Sequence, residues 1–473
     1  MENFNKGFVY FICVVAAFGG LLFGYDWVVI GGAKPFYEVY FGITDSAADQ
    51  GLAMTMALIG CMIGATLCGW LADRIGRKKL LIVASLIFFF SSLATGAFNY
   101  FTAFLVARFF GGIGIGVASG LSPMYIAEVA PANIRGRLVS LNQMTIVLGI
   151  LGAQITNWLI ADDIPGGVIA LGSWNAQMAW RWMFWAAAVP SMIFFLLALF
   201  IPESPRWLSA TNAAKATRIL EKIGGKNYAA SEMQAIQTAN ADAAEAAGLS
   251  TLFSRKYKTI LVLGIIIAVF QQWCGTNVIF NYAQEIFQGA GYEVGDVLFN
   301  IVITGVANVL FTVLAIFTVD RWGRRSLMLL GAGGLCGIYA ILGTCYFFHV
   351  TGVGMVVLVV AAIACYAMTL GPCTWVLIAE LFPNNVRAIA VATCTFALWV
   401  GSSTLTYTFP FLNQNLGSYG TFWIYSGVCL CGFLFFLRKL PETKGKSLEE
   451  LEKELVEASP NPSKGGDSNT ERG

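Results

Sequence analysis

The sequence predicts an all-α membrane protein in which twelve transmembrane helices form two six-helix bundles, with short cytoplasmic helices between the halves. Three observations predict this fold class. Apolar residues make up 57% of the 473 residues and charged residues only 12%, whereas soluble domains carry roughly a quarter charged residues. The apolar residues form long runs, and their total of about 270 is close to what a dozen spans of about 20 residues require. The second half of the chain also repeats the motifs of the first half.

Windows of about 19 residues place twelve apolar spans along the chain. The first run has no flank of the kind that a signal peptidase cleaves, so we interpret it as a span. The predicted spans cover residues 8–32, 52–72, 80–98, 103–126, 138–160, 180–201, 259–285, 297–319, 326–348, 353–378, 387–412 and 418–438.

Basic residues concentrate in the connections that follow the even-numbered spans. The odd-numbered connections contain Lys34, Arg181 at a span edge, and acidic residues such as Asp162 and Asp163. By the positive-inside rule, the even-numbered connections and both termini are cytoplasmic. We therefore expect a multi-pass protein of the plasma membrane, of the bacterial inner-membrane kind. The basic residues are Arg74, Arg77, Lys78, Lys79, Arg135, Arg137, Arg321, Arg324, Arg325 and Arg387.

Polar content divides the chain into four predicted regions. These are an N-terminal bundle over 1–201, a cytoplasmic helical linker over 202–258, a C-terminal bundle over 259–440 and a cytoplasmic tail over 441–473. The linker contains the amphipathic segment NAAKATRILEKIGG, which predicts short helices. The end of the tail is rich in Ser, Pro, Gly and charged residues, so we expect it to be disordered.

Motifs in the first half recur in the second half in the same order. WLADRIGRKKLL (70–81) matches FTVDRWGRRSLM (317–328) at an offset of 247 residues. IAEVAPANIRG matches IAELFPNNVRA at an offset of 252, and PESPRWL corresponds to PETKGKSL at 239. Each motif lies at the cytoplasmic end of a corresponding span. Two parallel halves of this kind are one transporter architecture, which holds its substrate near the midplane between them.

These paired motifs, together with PMYIAEVAPANIRG and QQWCGTNVIFNY (271–282), resemble the sugar porters of the major facilitator superfamily. The resemblance covers essentially residues 8–450. It implies a transporter, and not an enzyme, that carries a pentose or hexose of the D-xylose or D-glucose type by alternating access.

Charged residues are repeated at the cytoplasmic ends of the two halves. One interpretation is a gate of ion pairs between helices, which hold the halves together when the site faces outward. Exposed pairs contribute about 0–1 kcal/mol each, so several together would bias a two-state equilibrium. The alternative is an ordinary basic rim with solvated acids. The resemblance implies the gate, formed by Asp73, Arg74, Arg77, Glu128, Arg135, Asp320, Arg321, Arg324, Arg325, Glu380 and Arg387.

Asp26, in FGYDWVVIGG, is a carboxylate within the first span and needs a partner there. Arg108 in the fourth span lies at the same expected depth. Arg108 favours the charged form of Asp26 whereas loss of water favours the protonated form, so the pair is a candidate proton site. A static structural ion pair is the alternative. In the sugar porters, Asp in this motif is typical of proton-coupled members and Asn of facilitative members, so the resemblance favours symport.

The seventh span contains four amides in an otherwise apolar helix: Gln271, Gln272, Asn277 and Asn281. Amides and aromatic rings suit a neutral sugar, and Gly275 is expected to kink this span. We expect Gly371-Pro372 to break the tenth span beside Trp375. Each isolated amide has the alternative of an inter-helix hydrogen bond. Candidates at similar depth are Gln143, Asn308, Trp375 and Trp399.

The resemblance implies sugar contacts at Gln143, Gln271, Gln272, Asn277 and Trp375, and more distant contacts at Phe23 and Trp399. Asn281 stands where xylose-transporting members have tyrosine, and Leu398 replaces a polar residue. Both departures alter which sugar hydroxyls are recognised.

Other function classes have little support in the sequence. The eleven cysteines lie in apolar stretches and there is one histidine, so we expect no metal site and no cofactor. Gly112, Gly116 and Gly120, spaced by four, predict a helix-packing face rather than a nucleotide loop. We expect a monosaccharide and a proton as substrates, membrane lipid as surroundings, and neither nucleic acid nor an obligate protein partner. An uncoupled facilitator and a non-transporting sugar sensor remain the alternatives.

Overall fold

The computed structural model describes residues 4–162, 164, 168–243, 252–292, 294–382 and 386–442. The regular structure within these residues is helical, and the predicted disordered end of the tail lies outside them. The helices are α1 Lys6–Phe41, α2 Ala47–Ile75, α3 Arg77–Ala97, α4 Phe101–Val129, α5 Arg135–Ile160, α6 Asn175–Ala198, α7 Pro205–Thr211, α8 Ala213–Ala243, α9 Arg255–Trp273, α10 Thr276–Asn281, α11 Ala283–Gly289, α12 Val294–Trp322, α13 Arg324–Phe347, α14 Val353–Met368, α15 Leu370–Leu381 and α16 Arg387–Lys439.

The number of spans agrees with the prediction. Among the described residues, eleven stretches are long and apolar enough to cross a membrane. The last of them, in α16, is interrupted at Gly417, whose φ of +67° and ψ of 176° are not helical. Because α16 is two consecutive helices on either side of Gly417, the total is twelve.

The first predicted span was too short. It ended at residue 32, whereas α1 continues to Phe41 through Lys34 and Glu38. Charged residues lower the hydropathy of a window, but both side chains are buried and paired in the fold. The sixth span begins at Asn175 with one π-helical turn, five residues before its predicted start.

Glycines determine how closely α2 and α4 approach. A Cβ on Gly112 would lie 2.0 Å from the carbonyl oxygen of Ala57, and one on Gly116 would lie 2.2 Å from that of Cys61. Small residues of this kind allow two membrane helices to touch along their backbones. The predicted packing face is therefore confirmed.

The seventh span is broken twice. Gly275 has φ +88° and separates α9 from α10, as the sequence predicted, and Tyr282 separates α10 from α11. The tenth span is also broken, but at Thr369 rather than at Gly371. Pro372 explains the shift, because in a continuous helix its ring would clash with the carbonyl group of Met368, four residues earlier.

Helices α1–α6 form one half and α9–α16 the other. The halves meet mainly where α2 packs on α16 and α5 packs on α12, with further contacts from α1 to α10 and α11. Helix α8 lies at one end of the bundle, where the amide of Asn5 donates to the carbonyl of Ile223.

The repeat of the sequence is a repeat of structure at this end. Gly76 and Gly323, 247 residues apart, both have positive φ and join α2 to α3 and α12 to α13. Glu203 accepts hydrogen bonds from the amides of Arg77 and Lys78, at 2.8 and 3.0 Å. Glu442 does the same for Arg324 and Arg325, at 2.9 and 3.2 Å. We call this end the basic face and the other end the opposite face.

Candidate functional site

Asp26 and Arg108 form a buried ion pair within the first half. Both guanidinium Nη atoms donate, Nη1 to Oδ1 and Nη2 to Oδ2, the latter at 3.1 Å. Asp26 is 5% exposed and Arg108 4%, and the guanidinium also lies over the ring of Phe184. Each carboxylate oxygen of Asp26 thus faces one guanidinium nitrogen, the bidentate arrangement that Arg makes with a carboxylate. The predicted contact is therefore present.

A small cavity adjoins this pair. Its volume is about 20 Å³, which is room for about one water molecule. Its lining includes Asp26, Arg108, Phe23, Trp27 and Asn281. The cavity is too small for a sugar, and it connects the ion pair of the first half with an amide of the second.

Three aromatic side chains meet beside this cavity and connect the halves. The ring centroid of Trp399 in α16 is 5.9 Å from that of Phe23 and 6.1 Å from that of Trp27, both in α1. Sequence reasoning selected Phe23 and Trp399 but missed Trp27. An aromatic residue in an apolar helix has no distinctive sequence signal. The position of Trp27 directly after Asp26 is the only feature that could have indicated it.

Three of the four amides of the seventh span form a continuous chain of hydrogen bonds. Asn277 Nδ2 donates to Gln272 Oε1, and Gln272 Nε2 donates to Gln271 Oε1. Gln271 Nε2 donates to the hydroxyl of Tyr366 in α14, at 2.5 Å. The break at Gly275 makes this chain possible, since it brings α10 back towards the end of α9. Tyr366 was missed by sequence reasoning, because nothing in its own span distinguishes it.

Three of the remaining candidates lie outside this chain of hydrogen bonds and outside the cavity lining. Gln143 is half-buried on α5, Asn308 is buried on α12, and Trp375 on α15 is 42% exposed. Asn281 lines the cavity, and its Oδ1 is buried without a hydrogen-bond partner. Their contacts with a sugar stay predictions.

At the basic face, the ion pairs of Arg77 and Arg324 join helices of the same half. Arg77 pairs with Glu128 at 3.0 Å and with Asp73 at 3.1 Å, and Arg324 pairs with Glu380 at 3.1 Å. The pairs Arg77–Glu128 and Arg324–Glu380 occupy equivalent positions in the two halves. The same holds for the hydrogen bonds from Arg135 to the carbonyl of Ala130 and from Arg387 to that of Phe382.

Other predicted gate residues have different surroundings. Arg135 also faces Glu232 of α8 at 3.9 Å, and the guanidinium of Arg74 stacks over Trp70. Arg325 donates to the carbonyl of Leu437. Arg321 lies in the last turn of α12. The side chain of Asp320 lies outside the described part of the chain.

Comparisons with known proteins give the family. Residues 12–455 match the family described as sugar (and other) transporter. The arabinose-proton symporter of Bacillus subtilis (strain 168) is 37% identical over 454 residues, which cover 96% of each chain. The inward-open structure of the xylose transporter from E. coli has a TM-score of 0.84 at 35% identity, covering 94% of this chain and 100% of that one.

A second structure of that transporter, the proton:xylose symporter bound to 6-bromo-6-deoxy-D-glucose, has a TM-score of 0.78 at 36% identity, covering 95% of this chain and 100% of that one. The backbone of this chain is thus more similar to the inward-open form than to the form bound to the sugar analogue. With the family match extending over nearly the whole chain, the protein belongs to the sugar transporter family, and it is a multi-pass membrane transporter rather than an enzyme.

Proposed function

We propose that this chain is a proton-coupled symporter of a monosaccharide, a pentose or hexose, that works by alternating access. The observation that carries this proposal is the buried, bidentate ion pair of Asp26 and Arg108 within a sugar-transporter fold. An intramembrane carboxylate costs about 2.5–3.5 kcal/mol on insertion scales, which favours a functional role for it such as proton transfer. Two similar proteins are named as proton symporters, one of arabinose and one of xylose, and this also supports the proposal.

In this proposal the basic face is cytoplasmic, both termini lie on that side, and the membrane is a bacterial inner membrane. The positive-inside rule supports this orientation. The division into a bundle over 1–201, a linker over 202–258, a bundle over 259–440 and a tail over 441–473 belongs to the same proposal. The structure then represents an inward-facing state, because the halves touch at the opposite face and the TM-scores favour the inward-open form.

Asp26 is the proton carrier in this mechanism. In this proposal, the bidentate contact with Arg108 belongs to the form of Asp26 that has released its proton towards the cytoplasm. A proton that arrives from outside occupies one carboxylate oxygen, so that Arg108 loses one of its two acceptors. The ion pair therefore loosens on protonation and re-forms on release.

Helix α1 transmits this change to the second half. Asp26 lies on α1 between Phe23 and Trp27, whose rings contact Trp399. One turn further along, Gly31 packs on the backbone of α10. A shift of α1 against α4 on protonation therefore alters the contact between the halves, which is what coupling requires.

The sugar is bound by the amide chain of Gln271, Gln272 and Asn277. In the absence of sugar these amides satisfy one another and Tyr366. Sugar hydroxyls both donate and accept, so they can replace these partners without leaving an amide unpaired. Gln143, Asn308, Asn281 and the rings of Phe23, Trp375 and Trp399 complete the proposed site.

The charges of the basic face act as the cytoplasmic gate. In the inward-facing state Arg77 and Arg324 pair within their own halves. In the outward-facing state the two halves meet at this face, and charges from both are brought together. The pair of Arg77 with Asp73, whose side chain is 75% exposed, is weak enough to be exchanged without a large barrier.

Proteoliposomes test the proposal directly. An inward proton gradient is imposed, and uptake of D-xylose, D-glucose, D-galactose and L-arabinose is measured together with internal pH. Symport predicts proton entry that depends on one sugar, with roughly fifty-fold accumulation sustained by 100 mV. Sugar exchange without proton movement would make the protein an uncoupled facilitator. Binding without exchange would make it a sensor.

A further inference from the structure

A buried charge cluster lies at the opposite face, further along α1 than Asp26. Lys34 and Glu38, one turn apart on α1, are paired at 2.7 Å. Lys34 Nζ also donates to Oε1 of Glu285 in α11, which belongs to the other half. Lys34 is 2% exposed, Glu38 is 5% exposed, and the side chain of Glu285 is 22% exposed.

The surroundings of Lys34 give it few alternatives. Its ammonium lies 5.5 Å from the ring centroid of Tyr282, also in the second half. A buried ammonium is costly unless it is paired, and removal of one partner of a buried pair leaves an uncompensated charge. Lys34 is therefore held between a carboxylate of its own helix and a carboxylate of the other half.

We propose that Lys34 and Glu285 form the extracellular gate, an ion pair between the halves that holds the opposite face closed in the inward-facing state. This inference rests on the proposed alternating-access function. The three charges are unequal in one respect: Lys34 and Glu38 move together on α1, whereas Glu285 moves with the second half.

Opening of this face therefore breaks one contact and keeps the other. Glu285, already partly exposed, becomes hydrated. Lys34 retains Glu38, so the cost of leaving an ammonium without a partner is avoided in the open state. The two carboxylates act in opposite directions: Glu285 stabilises the closed form, and Glu38 competes for the lysine and makes the pair easier to break.

The test measures conformation rather than transport. Spin labels are introduced as unnatural amino acids at Thr44 and Val350, exposed positions at the opposite face of the first and second halves. The eleven native cysteines thus stay unmodified. Distance distributions in lipid nanodiscs give the ratio of open to closed forms for the unaltered chain and for Glu285→Gln, Lys34→Met and Glu38→Gln.

We expect Glu285→Gln to raise the ratio of open to closed forms by about tenfold or more, the scale of a coupling between closely paired charges. Lys34→Met is expected to raise it as well. Glu38→Gln, the matched loss of one carboxylate from the same lysine, is expected to leave the ratio unchanged or lower it. The double variant Lys34→Met/Glu285→Gln is expected to show less than the product of the two single effects.

An unchanged ratio in Glu285→Gln and Lys34→Met would overturn the gate, as would an equal rise in Glu38→Gln. If Glu285→Gln does not fold, Lys34→Met against Glu38→Gln decides in the same way. Failure of the unaltered chain to exchange sugar would instead contradict the proposed function, and it is read in a separate assay.

Discussion

Gly31 in α1 lies directly against the backbone of Phe280 in α10, so close that a Cβ on the glycine would be 2.8 Å from the Phe280 carbonyl oxygen. The two halves therefore touch at this level with no side chain between them. Because no Cβ contact of this length occurs without movement, the absence of a side chain at residue 31 is a condition for the closed arrangement.

Substitution of this glycine is expected to prevent closure at the opposite face. In Gly31→Val, the halves can no longer approach to the distance seen here, so sugar exchange should stop while sugar binding from the outside is retained. Counterflow in proteoliposomes and calorimetric binding measure the two quantities. Gly152→Val is the control, because an added Cβ at Gly152 has no atom within 4 Å. Full exchange by Gly31→Val would contradict the expectation.

Asp26→Asn should separate accumulation from exchange. The amide cannot carry a proton through the cycle, but it still hydrogen bonds to Arg108, so the fold and sugar exchange are expected to persist. Sugar uptake against a gradient should be lost, and exchange should no longer depend on external pH. Asp45→Asn, an exposed acid at the opposite face, should behave as the unaltered chain. Concentrative uptake by Asp26→Asn would remove Asp26 from the proton path.

Gln272→Ala is expected to weaken sugar binding by about 1–3 kcal/mol, the cost of leaving buried groups unpaired. This change interrupts the amide chain in its middle, so both Gln271 and Asn277 lose a partner. The corresponding rise in Kd is about 5- to 150-fold, measured by calorimetry. Gln288→Ala, at an exposed position, serves as control. An unchanged Kd would place the sugar elsewhere.

Tyr366→Phe tests the end of the same chain. The change removes only the hydroxyl that accepts from Gln271, so the amide is oriented less firmly. We expect the affinity for sugar to fall by about 0.5–1.5 kcal/mol, the net value of one hydrogen bond, and by less than in Gln272→Ala. Tyr419→Phe, a partly exposed ring 40% accessible, provides the comparison. A larger loss than in Gln272→Ala would argue for direct contact between Tyr366 and the sugar.

Gly116→Ala is expected to destabilise the first half by about 1–3 kcal/mol, typical of overpacking. The new methyl group would meet the carbonyl oxygen of Cys61 and force α2 and α4 apart. Thermal unfolding in detergent, followed by size-exclusion chromatography, measures the effect. Gly69→Ala is matched, since it lies exposed on α2 with open space at its Cβ, and its Tm should not fall. Equal Tm values for the two variants would contradict close packing at Gly116.

The features that the sequence predicted share one property: in each, the chemistry of one residue requires a particular neighbour or backbone conformation, whatever the fold. Asp26 needs a cation within the membrane, and Arg108 was the cation at its depth. Gly275 among amides predicted a break, and Gly112 and Gly116 predicted a packing face. Each requirement concerns neighbours along the chain or residues at the same depth in the membrane, and the predicted spans give that depth.

Features that depend on which surfaces meet could not be predicted in this way. Trp27 and Tyr366 are ordinary residues of apolar helices until Trp399 and Gln271 are placed beside them. Lys34 was counted with a connection because its charge lowers the local hydropathy. Its partner Glu285 is 251 residues away, and only the approach of the two halves makes a buried lysine acceptable.

The carboxylates that cap α3 and α13 have a consequence for how the chain is made. Glu203 follows Arg77 by 126 residues, and Glu442 follows Arg324 by 118. During synthesis, each half therefore exposes its third helix with free amides until its sixth span is complete and the glutamate beyond it emerges. A residue made late thus caps a turn made early, so a chain that stops short of Glu442 leaves the amides of Arg324 and Arg325 without this acceptor even though all the spans are present.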